Sequence, residues 1–320
     1  MQQSLSLFDD PAGFDRDGLA ARLARLRESN VWLGTSSWKY EGWLDQIYTR
    51  DRYLTRGRFS QKRFEAECLA EYAEVFPIVC GDFSFYQFPT PEFWHKMFAS
   101  APPSLQFALK VPEEITVNVW PRHARYGPRA GLRNEAFLNA DAFRGAFLDV
   151  LAPYRERVAV LIFEFGAFGY KSFEHAGEFL NALKPFLASL PKEWRYAVEV
   201  RNEDYLVPAY FDALGEQGVA HVFNAWARMP ELGAQIAMPG AFTADFVVSR
   251  ALLRKGRAYE DAVAKFSPYS EVKDKNDDAR EALRAMIARA QKERRSAYLF
   301  VNNRLEGNAP GTIEAVAGDA

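Results

Sequence analysis

Eight short apolar runs along the chain each end in a polar or charged residue: 31–36, 75–82, 105–110, 158–164, 196–201, 219–224, 245–250 and 297–302. Strands buried on both faces read as unbroken Val, Ile, Leu and Phe, and a closed ring of parallel strands carries its functional side chains at the carboxyl ends. The runs therefore predict an α/β protein of the (β/α)8, TIM-barrel-like class, a parallel eight-stranded barrel with a site at one mouth. Helical text recurs between them, at 62–75, 91–98, 141–151, 173–190, 208–217 and 277–295. Pro91 suits a first helical turn and Gly218 the residue after a last one.

The 320 residues exceed the roughly 250 of such a barrel, so one domain with extensions is expected. Residues 1–30 read as a tail followed by a short amphipathic helix, with Leu19, Leu23 and Leu26 on one face, placed to plug or cap the amino end of the barrel. Residues 31–320 read as the single barrel domain. Two connections, 112–139 and 254–278, are longer than the few residues usual between strand and helix, and long loops at the carboxyl face are where substrates are covered.

Several function classes lose ground on composition. Forty Lys and Arg against 42 Asp and Glu leave a net charge of -2, so nothing draws the whole chain to nucleic acid or an anionic membrane. A polyanion partner needs a local patch, such as Arg122, His123, Arg125, Arg129 and Arg133 in the first long loop, or the barrel mouth. The two cysteines, Cys68 and Cys80, suit a reducing compartment, and neither a signal peptide nor an apolar span of about 18 residues is present. The expectation is a soluble cytoplasmic protein. After the first run, Gly34-Thr35-Ser36-Ser37-Trp38 is neither a dinucleotide fingerprint nor a nucleophile elbow. The four histidines show no zinc-ligand spacing. Asp82, Glu164 and Glu199 are the side chains that Mg²⁺ would use, but no metal or cofactor is assigned.

Alternation across a strand puts Ala197, Glu199 and Arg201 on one face and Val198 and Val200 on the other. By the same rule Lys110 goes with Ala108, Glu164 with Ile162, Asn224 with Val222, Arg250 with Val248 and Asn302 with Phe300. Two acids, two arginines, a lysine and two amides then converge on the mouth. Glu199 and Glu164 are candidate general acid and base, with Lys110 as a charged or nucleophilic partner. Arg201 and Arg250 are candidate clamps for a carboxylate or phosphate, with Asn224, Asn302, Ser36 and Asp82 as polar contacts. Aromatic density after the first two runs, including Trp38 and Tyr86, offers stacking faces for a sugar or base, or a hydrophobic lid. The opposing reading of the charges is a closed ion-pair layer filling the upper barrel.

With those residues in hand, the chain resembles the DUF72, or YecE-like, family of TIM-barrel-like proteins. The similar blocks are Gly34-Thr35-Ser36-Ser37-Trp38-Lys39-Tyr40-Glu41-Gly42-Trp43 with Tyr48, Phe85-Tyr86 with Pro89, Phe107-Ala108-Leu109-Lys110-Val111-Pro112 with Ile115-Thr116, Ala197-Val198-Glu199-Val200-Arg201, and Phe300-Val301-Asn302-Asn303 with Gly307 and Ala309. The chain departs from the family pattern at Cys80, Asp82, Val117, Glu164, Asn202 and Tyr205, as a divergent member. The resemblance implies the barrel and keeps Lys110, Glu199, Arg201 and Asn302 on matching positions. The family carries no settled activity.

Three functions follow as expectations: a metal-independent enzyme using acid-base chemistry on a small anionic or polyhydroxylated substrate, a non-catalytic small-molecule barrel, and a nucleic-acid-associated or clamp-recruited protein. Nucleic-acid association would rest on the barrel mouth or the Arg122 to Arg133 loop, and clamp recruitment on Gln2-Gln3-Ser4-Leu5-Ser6-Leu7-Phe8, which resembles the short peptides that dock on bacterial sliding clamps.

Overall fold

The computed structural model describes residues 13–169 and 171–318. Eight parallel strands close into a barrel: β1 (Val31–Thr35), β2 (Ile78–Gly81), β3 (Gln106–Lys110), β4 (Val158–Phe165), β5 (Tyr196–Val200), β6 (Ala220–Ala225), β7 (Phe246–Ala251) and β8 (Ser296–Val301). They follow one another round the ring in chain order, and β1 closes it between β8 and β2. Each predicted run coincides with one of these strands, with ends that differ by at most three residues.

The two faces of the strands sort as alternation requires. Ile78, Cys80, Ala108, Ile162, Ala197, Val222, Val248 and Phe300 pack together inside the barrel. Val198, Val200, Phe163 and Leu109 face outward into the larger core shared with the helices. Glu199 therefore sits one pleat above Ala197 on the inner face, as do Lys110 above Ala108 and Arg250 above Val248.

Closure depends on a missing side chain. β1 and β2 meet at a single register pair, Thr35 opposite Val79. There a Cβ added to Gly34 would sit 2.0 Å from the carbonyl oxygen of Ile78. Gly34→Ala is expected to cost on the order of 3 kcal/mol, because the clash is with backbone and the strands must part to relieve it. Its thermal midpoint checks this; melting together with wild type would mean that the seam is not under that constraint.

Several expected bounds shift for local reasons. β2 starts at Ile78 because the amides of Val75 and Phe76 still bond back to the Tyr72 carbonyl at the end of the preceding helix. The segment 254–278 contains a helix, Tyr259–Phe266, and two more, Asn303–Glu306 and Ala309–Ala317, follow β8. The amino-terminal helix, Arg16–Glu28, does not plug the barrel: Leu19, Leu23 and Leu26 join the outer core, beside β1 and the helix Ala309–Ala317. The amino end is instead a concavity of about 350 Å³ whose lining includes Trp32, Tyr298 and Gln106. Among the described residues no helix is long and apolar enough to cross a membrane. The clamp-like match at Gln2 to Phe8 lies outside the described residues.

Candidate functional site

Five charged side chains meet at the carboxyl mouth. Strands β4 and β5 are in register with Glu164 opposite Glu199, which places two carboxylates side by side on the inner face. Such a pair is taken out of water only if cations neutralise it. Arg250, arriving from β7, gives one nitrogen, Nη1, to both acids: Oε2 of Glu164 at 2.5 Å and Oε2 of Glu199. Arg201 Nη2 reaches Oε1 of Glu164 at 3.0 Å, and Arg201 Nε and Nη2 each lie 3.2 Å from Oε1 of Glu199. Lys110 Nζ completes the group, 2.9 Å from Oε2 of Glu164.

The layer is almost closed. Glu199 is 0% exposed, Arg250 4%, Glu164 5% and Lys110 7%, while the Arg201 side chain, at 15%, is its opening to solvent. Two aromatic rings support the outer cations: Arg201 stacks on Trp226 with Cζ 3.9 Å from the ring centroid, and Lys110 Nζ lies 4.4 Å over Phe85. Burial by itself would raise the Glu164 carboxyl, but the charges of Arg201, Lys110 and Arg250 outweigh it and hold the group well below the usual carboxylate range. Burial works against the Arg250 charge too, and Glu199 and Glu164 more than compensate.

Hydrogen bonding in the layer is incomplete. Arg250 Nε is enclosed and has no hydrogen-bond partner among the described residues, and neither does Oδ1 of Asn224, the residue opposite Arg250 on β6. The amide nitrogen of Asn224 is used, donating to the carbonyls of Val200 at 3.1 Å and Val222 at 3.3 Å. One layer below, burial pushes the Cys80 thiol up to about 11, so it is not a ready nucleophile.

The remaining expected residues separate from this cluster. Asn302 donates to the Ser36 hydroxyl at 2.7 Å and accepts from the backbone of Arg304 at 2.9 Å, so the pair ties β8 to β1 and starts the next helix. Trp38 turns away: it packs edge-on against Phe83 and lines a groove with Lys62 and Phe93 on the outer helical layer. Asp82 is exposed, with no ion pair among the described residues. Tyr86, 53% exposed, stands on the rim, where burial and then the Asp82 charge push its hydroxyl up while Arg125 offsets them.

Much of the arginine in the first long loop is engaged locally. Arg125 pairs with Glu113 at 2.7 Å and lies over Tyr86 and Tyr126, and Arg129 reaches Glu114 at 4.0 Å while stacking on Trp120. Trp226 and Arg304 belong to the mouth but were not among the expected site residues. Each lies two residues beyond a residue that was, Asn224 or Asn302, and that position is the signal that could have found them.

A parallel (β/α)8 barrel with an ion-paired layer at its carboxyl mouth is the class of protein that fold and site define. Within that class the family model of a protein of unknown function, DUF72, matches residues 32–319, and the chain belongs to the DUF72 family. A crystal structure of a DUF72 family protein from Enterococcus faecalis is similar, with 16% identity over 89% of this chain and 94% of that one and a TM-score of 0.57. Another, from Thermotoga maritima, is similar with 19% identity over 88% and 96% and a TM-score of 0.56. At such identities the likeness concerns the fold. No curated protein matches the chain.

Proposed function

We propose that the carboxyl mouth of the barrel binds a small molecule bearing an oxyanion, a carboxylate or a phosphate, and acts on it by proton transfer. The observation that carries this reading is the imbalance in the buried layer: three cations, Lys110, Arg201 and Arg250, against two carboxylates, with an enclosed guanidinium Nε unmet. A buried donor without a partner costs about 1–3 kcal/mol, so the layer is short of acceptors, and an anion at its open edge would balance the excess cation. Arg201 is the first contact and Lys110 the second, because these two cations lie at the edge of the layer, on Trp226 and Phe85.

The acids divide their work. Every carboxylate oxygen of Glu164 and Glu199 already accepts from a cation, which makes both positioning residues in this reading. Proton transfer shifts from Glu199, where it was expected, to Asp82, the strand-end acid that is open to solvent and makes no ion pair among the described residues.

The test is a thermal titration of the full chain with inorganic phosphate and with acetate. Both probes are expected to raise the wild-type midpoint, and Arg201→Gln is expected to weaken the response by roughly tenfold or more, the worth of one hydrogen bond between charged groups. Equal responses from wild type and variant would refute the reading.

A further inference from the structure

Just past the end of β8 stands an arginine with no counter-ion among the described residues. Arg304 lies in the helix Asn303–Glu306 directly after β8, its backbone N–H held at 2.9 Å by the side-chain oxygen of Asn302. Its guanidinium is half-buried, with Cζ 4.6 Å from the ring centroid of Tyr259. Nε is enclosed and makes no hydrogen bond, and among the described residues no carboxylate comes within ion-pair distance of the side chain.

Its surroundings are tyrosines. Burial pushes the Tyr40 hydroxyl up, and the charge of Arg304 is the largest effect opposing it, ahead of a hydrogen bond with Ser37. Tyr40 in turn meets Tyr269 edge-on, with ring centroids 5.4 Å apart. Tyr259 is 45% exposed, so one wall of this corner is open to solvent. The acids nearby do not neutralise it: Glu260 and Asp261 follow Tyr259 in the same helical turn, and Asp82 acts on Tyr40 from a distance, yet none of them pairs with Arg304.

A charged side chain is drawn out of water only against compensating interactions. A tyrosine face supplies part of that compensation but cannot satisfy the Nε donor. The terminal nitrogens, which unlike Nε are not enclosed, form a fork that can grip two oxygens of a carboxylate or phosphate together.

We propose that Arg304 is a second oxyanion seat of the mouth, receiving a carboxylate or phosphate group between Tyr40 and Tyr259. The proposal rests on the reading of the mouth as a ligand site and narrows its ligand to a compound with an acidic group at this end. The charge of Asp82 acts on groups beside each seat: on Tyr40 beside Arg304, and also on Cys80 and Tyr86, which feel Arg250 and Glu164 of the closed layer.

The experiment follows arginine Nε–H resonances of the full chain by ¹⁵N NMR while inorganic phosphate or acetate is added, in wild type, Arg304→Gln, Arg304→Lys and Arg201→Gln. The Arg304 resonance, assigned by its loss in Arg304→Gln, is expected to move with at least one probe. Arg304→Gln should weaken the thermal response to that probe by roughly tenfold, and Arg304→Lys, which keeps the charge without the fork, should recover part of it. A shift with phosphate alone assigns the seat to phosphate groups, a shift with acetate alone to carboxylates, and shifts with both to either. An Arg304 resonance unmoved by either probe, or an Arg304→Gln variant that responds as wild type, overturns the proposal. Loss of response in Arg201→Gln alone upholds the mouth reading without this seat. Loss in Arg304→Gln alone upholds the seat and overturns the mouth reading.

Discussion

Arg250→Met is expected to lower the thermal midpoint by on the order of 10 °C at neutral pH, the largest effect of any single change in the mouth. The substitution leaves Glu164 and Glu199 in register on neighbouring strands with a single nitrogen of Arg201 bridging them. Oε2 of Glu199 loses its ion pair entirely. Removing one member of a buried ion network strands the others, at about 3–5 kcal/mol, which for a chain of this size is the stated fall in midpoint. Lys110→Met should cost less, since Glu164 keeps two guanidiniums. The pH dependence gives an independent sign. The depressed Glu164 contributes stability that is complete above the unfolded carboxylate pKa, near 4.5, and is lost as pH falls through its lower folded value. In Arg250→Met that carboxylate has less reason to stay ionised, so the gap between variant and wild type should narrow below about pH 4.5. A variant that melts within two or three degrees of wild type at pH 7 would show that Arg250 is not the keystone of the layer.

Most of the fold and part of the candidate site are legible in the sequence. A period of two is enough to put Glu199 and Arg201 on the face opposite Val198 and Val200, and short strands joined by helices leave few alternatives to a closed parallel ring. Alternation cannot say which charges meet. Arg250 grips Glu164 from a strand 86 residues later, a contact set by barrel diameter and rotamer rather than by any local pattern. Nor does alternation extend past the strand ends. Trp38, two residues beyond Ser36, turns outward to Phe83, whereas Trp226, two residues beyond Asn224, turns inward to Arg201. The loop backbone decides each case, and the sequence offers the same aromatic text for both. The unmet donors of Arg250 and Arg304 are invisible to sequence in principle, because a missing partner is a property of packing.

His221 is where the same packing should be measurable without any ligand. It lies on the outer face of β6, opposite in direction to Val222 and Asn224, among Tyr210, Phe211 and Phe223 with ring centroids 5.6, 5.4 and 4.9 Å away. Its Nδ1 shares a hydrogen bond with the Tyr210 hydroxyl at 3.2 Å. Burial pushes the imidazole down to about 3, with Gln235 offsetting little, so the ring is neutral in the folded protein throughout the ordinary pH range. In the unfolded chain it takes a proton near 6.5. Because the folded value lies below the unfolded one, stability is intact above about pH 6.5 and falls as pH drops toward 3, by up to about 1.4 kcal/mol per unit and on the order of 5 kcal/mol in all. His221→Phe keeps an aromatic ring in the cluster, and Tyr210 still donates to the Val198 carbonyl at 3.3 Å. The variant should therefore start at or below wild-type stability at pH 8 and lose much less between pH 6.5 and 5, a window above the carboxylate range. Urea midpoints at half-unit steps of pH decide it: parallel slopes for wild type and variant across the window would mean that the folded protein accommodates a charged His221 after all.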